Sequence, residues 1–159
     1  MLPQYIRGYL IHGLKASPDV IEHLLKDAGP GDYDRRPDSE RFTIREVVAH
    51  LADWEGVWLD RATKVVTEDK PALESYDEGQ WAIDHEYSTL DVAGQLAKFR
   101  EGRTKLAAYL QGLSAEQWER EGIREFGPLT IAQQTAMIIG HDGYHMKQII
   151  DWLAAGSAE

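Results

Sequence analysis

Cysteine is absent from the 159 residues, which excludes disulfides and any thiolate-ligated metal centre. A chain without cysteine suits a reducing compartment, and a cytoplasmic location is expected. Also missing are an apolar run of bilayer-spanning length and a basic leader followed by an apolar stretch, so no membrane association is expected. Positive charge is in deficit. Seventeen Lys and Arg against 27 Asp and Glu give a formal net charge of −10, with the bases scattered and not gathered in a stripe. Such a surface repels phosphate backbones, and no nucleic-acid partner is expected. No clean alternating run bounded by hairpin turns stands out. Nor is there a Walker motif, a dinucleotide fingerprint or a Ser-His-Asp order.

What is present is helical periodicity. Leu2, Tyr5, Ile6, Tyr9, Leu10 and Leu14 recur at spacings of three and four. Ser17-Pro18-Asp19 has the form of a new N-cap with proline at the first helical position, so this helix is expected to split or kink near Ser17 and to stop at Gly29-Pro30. Thr43-Ile44-Arg45-Glu46 is a capping box opening a second helix, which carries an apolar stripe through Ile44, Val47, Val48, Leu51, Trp54 and Trp58 to about Thr67. A long acidic connection follows, with a helical turn through Gln80–Ile83. Ser88 or Thr89 is expected to cap a third helix running to Gly112, and a single turn then holds Trp118 before a loop through Gly127-Pro128. Thr130-Ile131-Ala132-Gln133 is a second capping box, opening a final helix that ends near Ala154. Four long helices in one domain of residues 1–159 predict an all-α four-helix bundle with long connections.

The final helix carries the chemistry. His141 and His145 lie four residues apart, hence one turn apart on one face, within a stripe that also holds Gln134, Ile138, Gln148, Ile149 and Trp152. Imidazoles pointed at a core need a hydrogen bond or a metal. His50 flanks the stripe of the second helix, so facing helices can bring His50, His141 and His145 together, and three neutral nitrogens with a vacant position form an open divalent site. The other reading is three core histidines, each donating to a carbonyl. Asp53, Glu55 and Asp142 are candidate acceptors for the ring N–H groups, or solvated helix surface. His12, His23 and His85 read as surface residues. Gly140 and Gly143 each cost a helix about 1 kcal/mol relative to alanine, and a close helix approach is expected to explain them. Trp54 and Trp81 are core anchors or pocket walls.

The runs Phe42-Thr43-Ile44-Arg45-Glu46-Val47-Val48-Ala49-His50-Leu51-Ala52-Asp53-Trp54-Glu55, Tyr76-Asp77-Glu78-Gly79-Gln80-Trp81, Gly127-Pro128-Leu129-Thr130 and His141-Asp142-Gly143-Tyr144-His145 together resemble the DinB family over nearly the whole chain. The resemblance implies a four-helix bundle holding a divalent metal, zinc or nickel foremost, on His50, His141 and His145, and it implies a homodimer. Arg103 also fits the family's pattern, without an assigned role. Family members of known chemistry use the metal to hold a low-molecular-weight thiol, whose thiolate forms readily beside a cation. A thiol S-transferase and a hydrolase acting on a small-molecule substrate need the same three histidines and one open position, so both chemistries are expected candidates. No catalytic acid or base is assigned. The alternative is a non-catalytic, metal-stabilised helical bundle acting as a binding or stress-related module.

Overall fold

The computed structural model describes residues 1–156. Its long helices are α1 (Gln4–Leu25), α3 (Ile44–Thr67), α5 (Val92–Gln111) and α6 (Ile131–Gly156). Short helices α2 (Pro30–Tyr33) and α4 (Glu78–Asp84) lie in the connections, and a hairpin of β1 (Glu121–Arg124) and β2 (Gly127–Thr130) precedes α6. The architecture is the expected four-helix bundle. Helices α1 and α3 each pack against both α5 and α6, so α1 and α3 occupy opposite corners.

Local chemistry explains most boundaries. At α3, Thr43 Oγ1 accepts from the Glu46 amide at 3.2 Å while Glu46 Oε2 accepts from the Thr43 amide at 2.8 Å. Thr130 and Gln133 repeat this exchange at α6, at 3.1 and 2.9 Å. Both boxes each satisfy two amides that a helix start leaves unpaired. The cap of α5 is Asp91, not Ser88 or Thr89. Its carboxylate accepts from the Gly94 amide at 2.7 Å, while Tyr87–Thr89 form a separate 3-10 turn.

Three other expectations are corrected. Helix α1 runs unbroken through Pro18. Proline cannot donate to the carbonyl four residues back, but that carbonyl, of Leu14, accepts from Arg103 Nη1 at 3.0 Å. Residues 121–130 form an antiparallel hairpin where a loop was expected, with Glu121 opposite Thr130 and Arg124 opposite Gly127. Gly122 makes it fit, because a Cβ there would lie 2.6 Å from Leu73 and 2.7 Å from Val65. Gly140 and Gly143 face open space, so no close helix approach accounts for them. The close approach instead occurs at Gly102, whose Cβ would lie 2.6 Å from Glu55 Cβ.

The apolar core has two main clusters, one containing Leu14, Trp58, Leu106 and Ile138, the other Ile21, Leu51, Phe99 and Ile149. Each of the four long helices contributes to both. Between them, at mid-height, every long helix places a polar group: the Leu14 carbonyl from α1, His50 and Glu55 from α3, Arg103 from α5, and Asp142 with the histidine pair from α6. The histidines therefore stand in a polar waist, on the side covered by α4.

Candidate metal centre

Helix α3 brings His50 to the waist fully buried, and α6 brings His141 and His145 to meet it. Their ring centroids are 5.0 Å (His50–His141), 5.1 Å (His50–His145) and 4.6 Å (His141–His145) apart. One nitrogen from each ring lies within 4.8 Å of the others. Nε2 of His50 and Nε2 of His141 are 3.0 Å apart. Tetrahedral ligands at about 2.0–2.1 Å from zinc are separated from each other by about 3.3 Å, so these residues fit a shared divalent ion with little movement. A direct bond between two rings leaves the third nitrogen without a share, whereas a cation engages all three. The surface histidines are as expected: His12, His23 and His85 are exposed.

Each imidazole is held in the neutral form that ligates metals. Burial, followed by repulsion from His141 and His145, pushes His50 down to about 2. His145 falls to about 3, chiefly through burial and then the charge of His141. Burial also lowers His141, against the pull of Asp142.

Gln148 sets the His145 tautomer. Its Nε2 donates to the Phe42 carbonyl at 2.8 Å, which turns its Oε1 toward His145 Nδ1 at 3.1 Å. Nδ1–H then donates, and Nε2 presents its lone pair to the centre. Gln148 was visible on the histidine stripe three residues after His145, yet only the structure shows what its amide touches.

None of the three carboxylates expected near the rings serves them. Asp53 accepts from Trp81 Nε1 at 2.8 Å, the Tyr87 hydroxyl at 3.0 Å and Lys98 at 3.1 Å, tethering α4 and its flank to α3. Burial opposes ionisation of Asp53, but these three bonds prevail and hold its carboxyl below the ordinary range. Glu55 and Asp142 both take Arg103 as partner, at 2.7 and 2.5 Å, and all three side chains are essentially buried. Burial pushes the Glu55 carboxyl up, against Arg103. Arg103 thus has a structural place beneath the centre.

Sequence reasoning missed Glu78. Helix α4 starts on Asp77, which caps the Gln80 amide at 2.9 Å, and it carries Glu78 Oε2 to 4.0 Å from His50 Nε2. Burial raises the Glu78 carboxyl above its usual range. Glu78, Arg41, Phe42, Tyr144 and Gln148 line a cavity of about 280 Å³ together with His141 and His145. Trp54 packs on His50 with ring centroids 5.2 Å apart, and Trp58 on His141 at 6.1 Å, closing the inner side with apolar surface. Trp81 packs behind Trp54 at 6.2 Å and lines a neighbouring cavity.

The chain is similar to known proteins in sequence and in fold. A model of the DinB superfamily matches residues 14–149. A protein from Oceanobacillus iheyensis, named as a candidate metal-dependent hydrolase, is 25% identical over 87% of this chain and 81% of its own. One from Geobacillus thermodenitrificans with the same description is 28% identical over 88% and 80%. The structure of YfiT from Bacillus subtilis, described as having an unusual four-helix bundle topology, superposes with a TM-score of 0.91 at 23% identity, covering 99% of this chain and 91% of that one.

Proposed function

Because the chain belongs to the DinB superfamily, we propose that it is a metal-dependent hydrolase of a small molecule, with His50, His141 and His145 holding a divalent ion, zinc or nickel. The observation that carries this reading is the 3.0 Å approach of the His50 and His141 Nε2 atoms, with a His145 nitrogen within 4.8 Å of both, beside a cavity that His141 and His145 line. Relatives named as candidate metal-dependent hydrolases favour hydrolysis over transfer to a thiol.

A divalent ion in such a site supplies Lewis acidity and lowers the pKa of water or of a thiol. The protein's own residues do the rest. Gln148 keeps the His145 Nε2 lone pair directed inward. Glu78, whose carboxyl is raised above its usual range, takes the proton of the attacking water at its Oε2 and returns it to the leaving group. Trp54 and Trp58 keep solvent off the inner faces of the rings, which strengthens every charge interaction in the cavity.

Elemental analysis of untagged protein tests the first part, and about one divalent ion per chain is expected. His145→Ala should keep its helical circular dichroism, lose the ion, and lose turnover of any ester, amide or lactam hydrolysed by wild type, screened with and without cellular thiols. Chelation should lower the melting temperature without unfolding the bundle, since a ligand at a hundredfold excess over its dissociation constant adds only about 2.7 kcal/mol. Turnover that depends on an added thiol would replace the hydrolase by an S-transferase. If no substrate turns over and X-ray absorption shows a fourth protein ligand, the site is a structural metal module.

A further inference from the structure

Arg41 lines the same cavity as His141 and His145. Its guanidinium carbon lies 5.0 Å over the Tyr144 ring and 4.9 Å over the Trp152 ring. Among the described residues its buried Nε has no partner, and no carboxylate lies within ion-pair distance of it. Neighbouring arginines differ. Arg36 is occupied by Glu46 at 2.8 Å and Arg45 by Asp34 at 2.6 Å. In a chain of net charge −10, a cavity arginine left without an acid is available for an external one.

The backbone beneath this side chain is fixed. The Phe42 carbonyl receives both Gln148 Nε2 at 2.8 Å and Trp152 Nε1 at 3.1 Å, so the element that orients His145 also sets where Arg41 stands. Glu40 and Glu78 line the cavity as well. A divalent ion would offset those two carboxylates and leave Arg41 as the excess charge. Arg41 also borders an adjoining groove of about 620 Å³, so it stands where a ligand larger than the inner cavity passes from one space to the other.

Resting on the metal-centre reading above, we propose that Arg41 recognises the substrate, which carries a terminal oxyanion, carboxylate or phosphate, at a distance from the group presented to the three histidines. The aromatic faces hold the guanidinium plane, and its edge N–H groups match either oxyanion with two parallel bonds.

The test uses cobalt(II)-loaded protein and the visible spectrum of the ion as readout. Three hydroxamates are titrated: neutral acetohydroxamate, succinyl monohydroxamate and 3-phosphonopropionyl hydroxamate. Wild type should bind at least one anionic probe about tenfold more tightly than the neutral one, the size expected of a charge-assisted pair. Whichever anionic probe gains more identifies carboxylate or phosphate. Arg41→Gln should erase that preference while acetohydroxamate binds as before. Arg41→Lys, tested in parallel in case the first variant fails to fold, should keep part of it through its charge. Equal binding of all three probes to wild type, with clear spectral shifts, overturns the role of Arg41 and leaves the metal centre standing. So does an Arg41→Gln protein that loses affinity for all three alike. Failure of wild type to take up cobalt overturns the metal centre and this inference with it.

Discussion

Pro18 and Arg103, on different helices, complete one hydrogen-bond account: the first removes a donor from the Leu14 carbonyl and the second supplies one at 3.0 Å. An interior proline ordinarily costs a helix about 3 kcal/mol. Here one source of that cost, the carbonyl without a partner, is already met. Pro18→Ala should therefore stabilise the protein by about 1 kcal/mol or less, the scale of a single net hydrogen bond. Arg103→Met should destabilise by about 3–5 kcal/mol, because Glu55 and Asp142 would be left buried without a cation. Urea unfolding of both single variants and the double variant should show non-additivity, with Pro18→Ala more favourable once Arg103 is gone.

Gln148→Leu retains the shape of the stripe and removes the amide between Phe42 and His145. The His145 ring is then free to present either nitrogen. Metal affinity should fall about 10- to 100-fold with helical content unchanged. Competition with a chromogenic chelator measures this, and unchanged affinity would show that packing alone sets the tautomer.

Asp53 makes a pH-dependent contribution whose sign is fixed by its lowered carboxyl. The folded state binds this proton less readily than the unfolded chain, so the stabilisation is fully present above the unfolded value near 3.8 and is lost as pH falls through the lower folded value. Asp53→Asn should cost about 1–3 kcal/mol at neutral pH. The gap between the two proteins, followed by thermal melts, should close below pH 3.8.

Glycines separate by what surrounds them. Gly102→Ala would push a Cβ to 2.6 Å from Glu55 Cβ and should destabilise by about 1–3 kcal/mol through overpacking of α5 against α3. Gly140→Ala meets nothing within 4 Å and should stabilise by about 1 kcal/mol. Nothing in the structure explains why glycine stands at position 140.

Features written in contiguous residues were legible in the sequence. The two capping boxes located the starts of α3 and α6, and the four-residue spacing of His141 and His145 on an apolar stripe, opposite His50, located the cluster. Features whose cause lies far along the chain were not. Pro18 resembles a helix start until Arg103, 89 residues from the Leu14 carbonyl it serves, is seen to repair the helix. Strands of four residues holding Gly122 and Pro128 carry too little alternation to declare a hairpin, and what seats them is the space beside Leu73 and Val65. Glu55 and Asp142 looked like acceptors for histidines because their true partner sits on α5.

His50 and His141 meet across 91 positions of sequence, and α6 is the last of the four long helices to leave the ribosome. Until it docks, α3 offers a single imidazole, which is no chelate. Closing a loop of that length costs entropy that the helices must already have met through their own packing. An ion bound to all three rings can therefore neither nucleate this fold nor rescue a chain that stops short of α6. Bound as proposed, such an ion would act as a latch, closing only when assembly is complete and slowing the release of the final helix thereafter.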